Sequence, residues 1–277
     1  MHPSRLVPAS LLLTGLLAAA PPEGLPRFEP QTIDDTVEIG YGIAVGDVDG
    51  DGAADILLVD KREISWFRNP DWEKTTLARN LTPRDNVCIA ADDIDGDGKV
   101  EIAVGAQWNP GETMDKAQSG AVFYLSRPAE ASGDWTPVPL PHDPTTHRMR
   151  WMQTDAGPAL VVVPLHGIGN RDGTGENTVN VRLHRVDPTR AGDAAAWADE
   201  VLGAKLHVTH NLDIRDGFLY IAGAEGIVKE RPGGESILLV SPENSTPPIR
   251  GAGEIAVGRD FIATVEPFHG TDLAVYR

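Results

Sequence analysis

Cysteine is almost missing from this chain. Cys88 is the only one in 277 residues, which excludes a fold held together by disulfides. Positive charge is scarce as well. Lys and Arg number 24 against 41 Asp and Glu, a formal net charge of −17. A nucleic-acid binder displaces counterions from phosphate with a positive field, so that class is excluded. Aromatics are only 6%. The mostly apolar run Leu6–Leu17 is short of the ~20 residues that a membrane-spanning helix needs. Three catalytic signatures are absent: a GxSxG elbow, an HExxH helix and a phosphate-binding glycine loop.

What is present begins with a leader. Arg5 precedes the apolar run, and Ala18, Ala19 and Ala20 supply small residues for cleavage. Residues 1–20 therefore read as a secretory signal peptide, and residues 21–277 as one exported domain, periplasmic or extracellular. Cys88, inside the apolar stretch Val87–Ala90, reads as a small core residue. The chain carries 29 Gly and 22 Pro, above the usual share and spread along its length. That distribution predicts many short elements joined by many turns.

The chain also repeats itself. Asp47-Val48-Asp49-Gly50-Asp51-Gly52-Ala53-Ala54-Asp55 returns as Asp93-Ile94-Asp95-Gly96-Asp97-Gly98-Lys99-Val100-Glu101, 46 residues later. A period of this size is a propeller or solenoid signature. Apolar runs before and after each loop, with two more strands following, make four short strands per unit, as in a propeller blade. Weaker copies continue from His147, His207 and Gly253. The predicted fold is all-β, a β-propeller of four-stranded antiparallel blades. It has five blades if Phe28–Ile33 supplies the missing fourth strand of the last one, and is otherwise part of a larger ring. Two insertions, Asn109–Gly120 and Gly167–Thr178, each join the second and third strands of a blade and so emerge on one face.

The two acidic loops carry the most specific chemistry. Asp47, Asp49, Asp51 and Asp55, and likewise Asp93, Asp95, Asp97 and Glu101, place carboxylates at positions one, three, five and nine of a glycine-rich turn. Such oxygens suit a hard cation, and packed so closely they repel one another without one. Each loop is predicted to hold a structural Ca²⁺. The EF-hand is excluded, because position twelve is Leu58 or Val104 and strands flank the loops.

These DxDGDGxx(D/E) loops, each followed by an apolar strand, resemble the FG-GAP/VCBS repeat family of β-propellers. The segments Pro164-Leu165-His166-Gly167, Thr209-His210-Asn211 and Glu266-Pro267-Phe268-His269-Gly270 are similar, more weakly, to the propeller domain of aldos-2-ulose dehydratase/isomerase-type proteins. That resemblance implies metal-assisted lyase chemistry on keto-sugars such as 1,5-anhydrofructose. The propeller of that family is larger, and its complete members carry cupin-type domains that are not visible here.

In a propeller, the entry to strand one and the exit from strand two of each blade share a face. His147 and His210 lie near such entries, and His166 and His269 at such exits. The four imidazoles are predicted to converge on one mouth of the channel. There His166, His210 and His269, with Glu225 as acidic partner, are candidate catalytic residues. With His147 they are also candidate ligands for Zn²⁺ or another divalent transition metal. Arg148, Arg150, Gln107 and Trp108 are candidate substrate contacts, Trp108 as a stacking face for a sugar. Two functions follow: a metal-dependent lyase or isomerase on a keto-sugar, or a calcium-stiffened propeller that binds a glycan or a protein without chemistry. Either acts as a monomer on a carbohydrate, another small polar ligand or a protein.

Overall fold

The structure, a computed structural model, describes residues 28–129, 134–171 and 175–277. The expected leader lies outside the described residues. Met1–Asp35 and Thr36–Arg277 are separate units, and every blade belongs to the second. No helix among the described residues is long and apolar enough to cross a membrane.

The fold is all-β, with five antiparallel meanders in chain order, as a five-bladed propeller requires. Blade one is β1 (Gly42–Gly46), β2 (Asp55–Val59), β3 (Glu63–Arg68) and β4 (Glu73–Arg79). Blade two is β5 (Cys88–Asp92), β6 (Glu101–Ala106), β7 (Ala121–Ser126) and β8 (Thr136–Leu140). Blade three is β9 (Thr146–Thr154), β10 (Gly157–Pro164), β11 (Asn180–Arg185) and β12 (Ala198–Gly203). Blade four is β13 (Thr209–Arg215), β14 (Phe218–Gly223), β15 (Gly226–Glu230) and β16 (Ile237–Val240). Blade five is β17 (Glu254–Val257), β18 (Ile262–Glu266) and β19 (Asp272–Tyr276).

Burial explains the sequence pattern of each strand. In blades two, three and four the second strands are covered on both faces, so they read as unbroken apolar runs such as Ile102–Val104 and Ala159–Val163. The fourth strands are outer edges. Only Leu77 of β4 and Leu202 of β12 are buried, and β8 tolerates Pro137 and Pro139 because an edge strand has donors to spare.

Successive side chains of a strand point to opposite faces, and each face fills a different junction. Ile102 and Val104 pack with Leu57 and Val59 between blades one and two, while Ala103 packs with Leu160 between blades two and three. Val161 and Leu183 meet Leu212 and Ile221 between blades three and four. Tyr220 and Ile227 meet Ile255 and Ile262 between blades four and five.

The junction between blades five and one differs. The inner strands pack in the succession β1, β5, β9, β13, β17, with no comparable packing of β17 on β1. Ile43 and Val45 on β1, and Leu273 and Val275 on β19, are exposed. The fourth strand expected at Phe28–Ile33 is not formed; those residues carry no strand, and among the described residues the last sheet has three. Pro30 lies in the middle of that segment and removes a backbone donor, whereas the counterpart Trp72–Leu77 contains no proline.

Candidate functional site

The two acidic loops are built alike. Gly50 and Gly52, both at positive φ, let the chain curl so that their N–H groups donate to Asp47 Oδ1 and Oδ2 at 2.6 and 2.7 Å. Gly96 and Gly98 donate to Asp93 in the same way, at 2.7 and 3.0 Å. In the first loop Asp55 is fully buried and accepts from the Val48 and Asn69 amides at 2.9 and 2.8 Å. Its counterpart Glu101 accepts from Ile94 at 3.1 Å.

One oxygen each from Asp47, Asp49 and Asp55, and one each from Asp93, Asp95 and Glu101, lie within 4.8 Å of one another. These two sets are able to chelate a divalent ion. Asp51 and Asp97 are not in the sets. Their Oδ1 atoms accept from the Ala53 and Lys99 amides, both at 2.8 Å. The electrostatics differ between the loops. Desolvation raises the Asp47 carboxyl, but the amides of Gly52, Gly50, Asp51 and Asp49 together outweigh it and hold the group below its ordinary range. Burial, with Asp95 and Asp97 close by, pushes Glu101 up to about 7.

A cavity of about 530 Å³ is the second site. Every blade contributes to it. Tyr41, Val87 and Val208 line it from the positions just before β1, β5 and β13. Trp108, Leu165, His166, Ala224, Phe268 and His269 line it from the exits of β6, β10, β14 and β18. His147 and Arg148 come from the start of β9, and His210 from the start of β13.

Its aromatic groups form a chain of contacts. Trp108 stacks on His147 with centroids 5.1 Å apart and planes at 20°. His147 meets His210 edge-on at 5.0 Å, and His210 meets His269 and Phe268 at 4.5 and 5.5 Å. His210 Nδ1 lies 2.6 Å from Gly253 O, and its Nε2 lies 3.2 Å from His269 Nε2. A carbonyl only accepts, so His210 carries its proton on Nδ1 and offers an Nε2 lone pair to His269 Nε2–H. Gly253 is required here. A Cβ at that position would stand 1.7 Å from Phe268 O, so the turn bearing His269 lies over it only because the side chain is absent.

Burial, reinforced by Arg148 and His210, holds His147 well below the ordinary imidazole range. Burial also lowers His210, with Arg148 and His269 acting the same way. Both rings are neutral near pH 7.

The structure thus brings Trp108, His147, Arg148, His166, His210 and His269 to one cavity. Three other candidates stand apart from its lining. Glu225 Oε1 lies 2.7 Å from His207 Nδ1 and accepts the His207 amide at 3.1 Å. Gln107 donates through Nε2 to Ala117 O at 3.1 Å. Arg150 donates to Leu212 O at 3.1 Å and faces a different cavity between the inner strands. Among the described residues, neither three-ligand set contains a histidine.

Sequence reasoning missed Tyr41, Val87, Val208 and Phe268. The signal was available: the first three sit immediately before a blade's first strand, and Phe268 shares the turn of His269. It also missed the pairing of His207 with Glu225, for which no local signal exists.

Residues 47–104 match the FG-GAP-like repeat, and residues 89–125 match the FG-GAP repeat. Together the two matches span residues 47–125, from the first acidic loop into β7. Among curated proteins none matches. Among solved structures the chain is similar to a protein of unknown function from Bacteroides caccae, at 12% identity with a TM-score of 0.44, over 83% of this chain and 71% of that one.

Proposed function

We propose that this chain is an exported propeller that binds a carbohydrate in the five-blade cavity and is stiffened by Ca²⁺ in its two acidic loops. The observation that carries the reading is Trp108, stacked on His147 at one wall of a cavity of about 530 Å³. That volume suits a small ligand. A pyranose has an apolar C–H face and a hydroxyl edge. Trp108, Phe268 and Tyr41 supply apolar ring surface, and the imidazoles supply polar nitrogens. The carboxylate sets suit an oxygen-seeking cation, with the carbonyls of Ala53 and Lys99 available at position seven. Ca²⁺ in these loops ties the first strand of a blade to its second. Titrating monosaccharides and disaccharides by isothermal calorimetry tests the reading. A saturable change is expected that Trp108→Ala abolishes. A Trp108→Ala variant that binds as well as the unaltered chain removes the cavity from consideration.

The His210–His269 pair favours a second reading, a lyase or isomerase acting on a keto-sugar. Neutral His210 Nε2 would take the proton beside the carbonyl, the C–H electron pair would form the C=C bond, and the β C–O bond would break. The hydroxide would leave as water by taking an imidazolium proton. In this reading the chain's own side chains supply the acid–base chemistry. Incubation with 1,5-anhydrofructose should yield an ultraviolet-absorbing enone, lost in His210→Ala and in His269→Ala. Absorbance that never rises above the uncatalysed rate ends the lyase reading and leaves the binding one.

A further inference from the structure

The cavity contains a positive charge that no carboxylate among the described residues neutralises. Arg148 lines it from β9 and donates one hydrogen bond, from Nη1 to its neighbour's carbonyl, His147 O, at 3.0 Å. It has no ion pair among the described residues. Arginines elsewhere in the fold do: Arg182 pairs with Asp143 at 2.8 Å and Asp199 at 2.5 Å, and Arg250 pairs with Asp272.

Among the described residues, no Asp or Glu lines the cavity. The carboxylates around its wall are occupied by other groups. Asp85 accepts Tyr41 Oη–H at 3.1 Å. Glu254 accepts from Asn211 Nδ2 and lies 3.9 Å from His210 Nδ1. Glu225, next to Ala224, is paired with His207.

A guanidinium partly withdrawn from water without a counter-ion costs the fold free energy. A chain with 41 acidic residues has ample means of neutralising it, yet the described lining offers apolar and aromatic groups and imidazoles in place of a carboxylate. A ligand anion would complete this arrangement, because guanidinium and carboxylate pair in a charge-assisted, bidentate geometry.

Resting on the carbohydrate reading above, we infer that the cavity takes a sugar acid, its carboxylate on Arg148 and its ring against Trp108. The test is calorimetric titration of the full chain with D-glucuronate and, separately, D-glucose at low ionic strength. Glucuronate is expected to bind at least tenfold more tightly, with a preference that shrinks as salt is raised. Arg148→Gln should bring the two affinities within about twofold, and Arg148→Lys should retain part of the preference. The salt series on the unaltered chain asks the same question should a variant fold poorly. Equal affinities for the two sugars overturn the anion assignment and leave the carbohydrate reading standing. A preference that survives in folded Arg148→Gln overturns it too. Binding of neither sugar overturns both.

Discussion

The backbone N–H of Val100 donates to the carbonyl oxygen of Asp47 at 2.8 Å. Asp47 opens the first acidic loop, and Val100 immediately precedes Glu101, the last carboxylate of the second. Arg127 reinforces the link by donating to both Val48 O and Val100 O, with its guanidinium 4.6 Å from the Trp135 ring centre. The two loops are therefore joined across the junction of blades one and two. A cation in either one stiffens a structure that the other shares.

Removing Arg127 should expose that link. Arg127→Ala leaves two carbonyls short of charged donors and strips a cation from the Trp135 face, a loss of roughly 2–4 kcal/mol. Urea denaturation followed by circular dichroism should show a lower midpoint. An unchanged midpoint means that Arg127 does not hold the junction.

Divalent cation should stabilise the fold through the acidic loops. At a free concentration a hundredfold above Kd, one site adds about 2.7 kcal/mol. Calcium should raise the melting temperature and a chelator should reverse the rise. Asp49 and Asp95 are exposed members of the two sets, so Asp49→Asn with Asp95→Asn should remove the response while leaving the metal-free melting temperature nearly unchanged. A calcium response that persists in this double variant moves the sites elsewhere.

Glu230, at the end of β15, should make stability pH-dependent. Burial pushes its carboxyl up to about 7, from an ordinary value of 4.5. The folded state therefore binds the proton more tightly than the unfolded state, and the contribution of Glu230 to stability declines as pH rises from about 4.5 to 7. The ionised group costs on the order of 3 kcal/mol above that range. Glu230→Gln should raise the melting temperature more at pH 8 than at pH 5. An equal rise at both values would show that Glu230 does not titrate in this window.

Cys88 should be chemically silent in the folded chain. Burial pushes its thiol up to about 12, and a methyl on neighbouring Gly105 would stand 2.5 Å from its sulfur. A thiol reagent at pH 8 should modify less than one group per chain until denaturant is added, and one group afterwards. Rapid labelling of the native chain would place Cys88 outside the core.

Most of the architecture was legible because it is encoded over short distances. Alternation along Gly42–Gly46 and the unbroken apolar run Ile102–Val104 report how many faces of a strand are covered. The spacing Asp47, Asp49, Asp55 reports which carboxylates point inward from one turn. Asp51 was harder to place. It has the same spacing as its neighbours, yet its carboxylate accepts the Ala53 amide, a choice made by turn geometry and not by residue type. The closing strand was misplaced because Phe28–Ile33 resembles Trp72–Leu77 in position, while Pro30 removes a donor from its middle.

The sequence by itself determined the blades and the acidic loops, since each depends on contacts within a few residues or between adjacent strands. Only the tertiary structure decided which side chains meet at the cavity, that Glu225 holds His207 instead of the histidines there, and that among the described residues Arg148 has no carboxylate opposite it. The lining residues run from Tyr41 to His269, and their meeting depends on five packed blades presenting the same pair of turns to one space. No local pattern encodes that distance, and the charge left uncovered within it is visible only once all five blades are in place.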